Sequence, residues 1–150
     1  MDQKLSDLLL KKTKQSASGE LVDWDDRRTS YLKAVEGLYS LIQAALGVPI
    51  EEGTVRLRRR PKDLTEDYIG TYAVDDLLLL IGAEQVRFSP RGWNVLGAEG
   101  RVDVVGERGE LSLILRDSAW GLVQSRQPEL RVARLDESTL ADVLGLVMRD

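Results

Sequence analysis

The chain is 150 residues long, with 43% apolar and 31% charged residues, a net charge of −4 and a sequence pI near 5.0. That balance belongs to a globular domain, and this length gives one domain a sizeable core. There is no histidine and no cysteine, which removes the imidazole bases, thiol nucleophiles, zinc ligands and disulfides built on them.

The first twelve residues, MDQKLSDLLLKK, are too acidic and too briefly apolar for a signal peptide. The strongest apolar run, Leu77 to Ile81, is far short of a membrane span. A cysteine-free chain without targeting signals is expected in the cytoplasm, away from membranes.

The N-terminal part, 1–47, reads as a helical arm. Leu5, Leu8 and Leu9 form a short stripe, and Ser16 to Gly19 break it. A second helix follows, with Asp23 as cap and Asp25 and Asp26 in its first turn, where the helix dipole favours acids. Tyr31, Val35, Leu38 and Ile42 recur at spacings of four and three. Such a seam has two fates: packing on the chain's own sheet, or serving as the contact of a homodimer. Gly47 and Pro49 are expected to end the helix.

The segment 54–135 reads differently. Short β-branched and aliphatic runs alternate with turns, suggesting strands near 54–60, 71–81, 84–89, 93–97, 101–106, 110–116, 119–125 and 130–135. Connections this short make neighbours antiparallel. Turns are expected at Gly82 to Glu84, Ser89 to Gly92, Ala98 to Gly100 and Gly106 to Gly109, and Asp75-Asp76 is expected to interrupt a strand. The last segment, 136–150, returns to helical spacing at Leu140, Val143, Leu144 and Val147, with Asp136 or Ser138 as cap. The fold class is α+β: a helical arm, an antiparallel meander of six to eight strands, and a closing helix, all in one domain.

Motifs for catalysis are sparse. The glycine pairs at 97/100 and 106/109 fit hairpin turns better than phosphate loops. Ser30-x-x-Lys33 lacks the companion motifs of serine acyl-enzymes and falls on a helix face. The cluster Asp23, Asp25 and Asp26 is accounted for by helix capping. No cofactor or metal ligand set is assigned.

The positive signal is basic. In VRLRRRPK, strand alternation projects Arg56, Arg58 and Arg60 to one side, with Lys62 nearby, and turns Val55 and Leu57 to the core. Such a row either decorates an edge strand or meets an acidic protein surface or nucleic acid. Trp93 and Trp120 fall in the strand region as ordinary half-buried residues. The leading expectation is a non-catalytic binding or adaptor module that docks a protein partner. A nucleic-acid-associated domain using the arginine strand is the alternative, and an aspartate-based metal enzyme the second alternative.

Overall fold

The structure is a computed structural model that describes residues 24–92, 98–125 and 129–149. The first helical stripe, Asp23, and the strand expected at 93–97 with Trp93 lie outside the described residues.

Helix α1 (Trp24–Ala45) carries Asp25 and Asp26 in its first turn. A five-residue helix, α2 (Gly47–Glu51), follows at once. The long helix therefore ends just before Gly47, as the sequence leads one to expect, and Gly47 and Pro49 sit within the short α2 that follows. Proline fits there because the first helical N–H groups have no intrahelical partner.

Seven described strands then form one sheet in the order of the sequence. They are β1 (Val55–Glu66), β2 (Gly70–Ile81), β3 (Glu84–Gly92), β4 (Gly100–Val105), β5 (Glu110–Arg116), β6 (Ala119–Ser125) and β7 (Arg131–Arg134). Every neighbouring pair is antiparallel. Helix α3 (Glu137–Val147) closes the chain, and Asp136 caps it by accepting the Thr139 N–H at 2.8 Å. The architecture is α+β, an antiparallel meander with a helix at each end.

Both long helices lie on one face of the sheet. Tyr31, Val35, Leu38 and Ile42 are each 1% exposed or less and join Tyr39 in the core. The seam thus takes the first of its two fates and contacts the chain's own sheet. Val86, Phe88, Val102, Val104 and Leu113 meet it from the strands, and Leu140, Val143 and Val147 from α3. The Trp120 indole N–H donates to the Ala34 carbonyl at 2.9 Å, tying β6 to α1.

Two local expectations are corrected. Asp75-Asp76 does not interrupt a strand: β2 runs through both in unbroken register with β1. In β2 the residues before Leu77 have no β3 neighbour, and burial changes phase there, so Tyr72 and Val74 reach the core as well as Leu77 and Leu79. A free two-stranded ribbon twists more strongly than a full sheet, which carries this segment over to α1. Trp24 stacks on Tyr68 at the ribbon's tip, 5.4 Å between centroids. The turn expected at Ser89 to Gly92 is instead the end of β3, which passes Pro90 and makes a bulge before Gly92. A bulge accommodates the missing proline N–H.

Candidate interaction face

Alternation divides the sheet into a helix-covered face and a face on which no described helix lies. Val55 is buried and Leu57 half-buried against the core. The register sets Arg56 opposite Leu80, Arg58 opposite Leu78, Arg60 opposite Asp76 and Lys62 opposite Val74. Partners in an antiparallel pair share a face, so Arg56, Arg58 and Arg60 stand together on the helix-free side; Lys62 lies past the change of phase, opposite the core residue Val74, and joins the row through its ammonium, which reaches Asp76. Arg59 has the other phase. It forms a two-pronged bond with Glu36 of α1, 2.7 and 2.8 Å, and lies 5.2 Å from the Tyr39 ring centroid. That hydrogen bond is the main reason the Glu36 carboxyl is held below the ordinary carboxylate range.

Three further arginines join the row, and the sequence reading did not gather them. Arg87 pairs with Leu78 on one side and Val105 on the other, which puts it on the same face as Arg58. Arg91 and Arg101 converge on Asp103, with their Nε atoms 2.9 and 2.7 Å from its two oxygens. The helix-free face of β1 to β4 therefore presents seven basic side chains against two carboxylates, Asp76 and Asp103. The alternation in QVRFSPR and RVDV was the available signal.

The two carboxylates are buried and serve the cations around them. Asp76 is 4% exposed; its Oδ1 lies 2.7 Å from the Lys62 ammonium and its Oδ2 3.5 Å from Arg60. Lys62 also donates to the Ser89 hydroxyl at 2.6 Å. Ser89 faces Asp103 in the register, and Asp103 faces Ser112, whose hydroxyl donates to it at 3.2 Å. A polar belt thus crosses five strands. Burial pushes the Asp103 carboxyl up, but hydrogen bonds from Arg101 and Arg91, the Arg101 charge and Ser112 outweigh that and hold it below its usual range.

The belt leaves some cations without an acid. Among the described residues, Arg56 and Arg58 make no ion pair, and the buried Nε of Arg87 has no hydrogen-bond partner. Arg56 and Arg58 are about 6.8 Å apart along the strand, and Arg87 stands two strands over, at about 10 Å. Leu78, only 7% exposed, lies between Arg58 and Arg87 as the cross-strand neighbour of both.

Lys62, Asp76 and Ser89 resemble a nucleophile constellation, but Ser89 is 3% exposed and out of reach of a substrate. Among the described residues, no three acidic side chains come together as a metal site. Asp25 is engaged with Arg28 at 3.1 Å on the surface of α1. A cavity of about 620 Å³ between β5, β6, β7 and α3 is lined by Leu111, Leu122, Ala133 and Leu146, with Asp142 the one ionisable residue among the described lining. No described helix is long and apolar enough to cross a membrane. Comparison with protein-family models, with curated proteins and with solved structures found no match.

Proposed function

We propose that the chain is a non-catalytic protein-docking module whose helix-free sheet face binds an acidic segment of another protein, in the cytoplasm. The observation that carries this reading is the gathering of seven basic side chains from β1, β3 and β4 on one face, with three guanidinium groups left without an acid among the described residues. Guanidinium groups bind carboxylates in a planar, two-pronged geometry. Nucleic acid is the second reading, and one feature weighs against it. The described residues of β1 to β4 put no aromatic ring beside the arginine row for bases to stack on.

The test is fluorescence anisotropy with two labelled probes, a twenty-residue polyglutamate and a twenty-nucleotide single strand. Polyglutamate is expected to bind, more weakly as salt is raised, and about tenfold more weakly to the triple variant Arg56→Gln, Arg58→Gln, Arg60→Gln, since three screened charge contacts of about 0.5 kcal/mol each sum to one decade. Tighter binding of the nucleotide strand at equal ionic strength, or no binding of polyglutamate, overturns the reading.

A further inference from the structure

We infer that the acidic partner binds as an added antiparallel strand along Val55 to Arg60 of β1, and that it is an extended segment alternating acidic and apolar residues. This inference rests on the reading of the basic face as the docking surface, and it adds the backbone to the recognition.

The backbone argument starts at the turn between β2 and β3. Only Gly82 of its two residues has a positive φ, 61°, which is the type II′ pattern. That turn makes Ile81 and Glu84 a hydrogen-bonded pair, so the odd-numbered residues of β2 aim their peptide groups at β3 and the even-numbered ones at β1. Arg56, Arg58 and Arg60 are the register partners of Leu80, Leu78 and Asp76, so their peptide groups bond to β2. Val55, Leu57 and Arg59 have the opposite phase and aim theirs away from the sheet. β1 is the outermost of the described strands, and no described residue hydrogen-bonds to those outward groups. Pro61 falls in the same outward phase, where its lack of an N–H leaves the β1–β2 ladder intact. It also interrupts the open row of donors. The edge available for pairing is therefore the stretch before Pro61, the same stretch that carries the arginines.

Side chains then choose the occupant. A residue paired with Val55, Leu57 or Arg59 places its side chain on the helix-covered face, beside the half-buried Leu57. Its neighbours fall on the helix-free face, opposite Arg56, Arg58 and Arg60, where carboxylates form favourable cross-strand pairs. A second copy of β1 would set two arginine rows side by side, and like charges directly opposite are unfavourable. Charge thus selects an acidic partner over self-pairing.

The probe is a capped, fluorescently labelled hexapeptide of strictly alternating glutamate and valine, titrated into the full chain. Two further versions carry N-methyl groups, one on its valines and one on its glutamates. In antiparallel addition the valine N–H groups point to β1. N-methylvaline is therefore expected to weaken binding at least tenfold, and N-methylglutamate to leave it within about twofold. Equal binding of all three peptides, loss caused by the N-methylglutamates, or no hexapeptide binding where polyglutamate binds, overturns strand addition while the basic-face reading stands. If the triple arginine-to-glutamine variant binds the parent peptide unchanged, the basic-face reading falls instead.

Discussion

Replacing Tyr31 with phenylalanine isolates one atom that ties α1 to the helix-free face. The Tyr31 hydroxyl donates to the Arg101 carbonyl at 2.7 Å and accepts the Gly92 N–H at 3.0 Å. It therefore joins the end of β3 to the start of β4, beside the two arginines that grip Asp103. The ring is 1% exposed, and a Cβ added at Gly100 would stand 2.6 Å from its Cδ1, so there is no room for the ring to shift. Burial pushes the hydroxyl's pKa well above the ordinary tyrosine value, which keeps it a neutral donor throughout the working pH range. Tyr31→Phe leaves one donor and one acceptor without a partner. Each buried orphan costs about 1–3 kcal/mol, and the Arg101 carbonyl is the less covered of the two, so the sum is about 3 kcal/mol. For a chain of this size that corresponds to a fall in Tm of roughly 6–12 °C. Guanidinium chloride unfolding followed by tryptophan fluorescence measures it, with the midpoint lowered and the slope unchanged. A loss below about 1 kcal/mol would refute the reasoning, because it would mean that the two backbone groups find other partners.

Two more substitutions test the same accounting elsewhere. Asp103→Asn keeps the shape and removes the charge, and is expected to cost about 1–2 kcal/mol at pH 7, discounted because Arg91 and Arg101 are partly hydrated. The native carboxyl is held below its ordinary 3.8, so its contribution is complete above that value and is lost as pH falls through the native one. The gap between wild type and variant should therefore close below about pH 4, and a gap that stays constant from pH 7 to pH 3 in denaturant titrations contradicts this. Gly106→Ala would set a Cβ 2.3 Å from the Val147 carbonyl oxygen, which already accepts the Arg108 N–H at 2.9 Å. A loss of at least about 2 kcal/mol is expected. Gly109→Ala in the same turn meets nothing within 4 Å and serves as its near-neutral control, and equal melting temperatures for the two variants would defeat the argument.

What the sequence disclosed followed periodicity. The α1 seam, the strand alternation and the Asp136 cap are local patterns, and the α+β meander follows from them. The side-by-side placement of Arg56, Arg58 and Arg60 was readable for the same reason. Arg91 was hidden because Ser89-Pro90-Arg91-Gly92 has turn chemistry, and only pairing with β4 holds it extended into a bulge. Asp75-Asp76 resembled a break because two adjacent acids are poor strand formers. What sustains them is distant in sequence: Lys62 and Arg60 bind the Asp76 carboxylate, and the Tyr39 hydroxyl donates to the Asp75 carbonyl at 2.6 Å. Arg87 was missed because its membership depends on register, which no single strand encodes.

At physiological ionic strength a charge is felt over about 8 Å. The run from Arg56 to Lys62 spans about 20 Å along β1, so a ligand approaching it is screened from most of the rest of the molecule. An isoelectric point describes the sum over the whole surface and therefore gives the wrong sign for what this side attracts. Only in dilute buffer, where the screening length grows to about 30 Å, would the acidic remainder repel the same ligand.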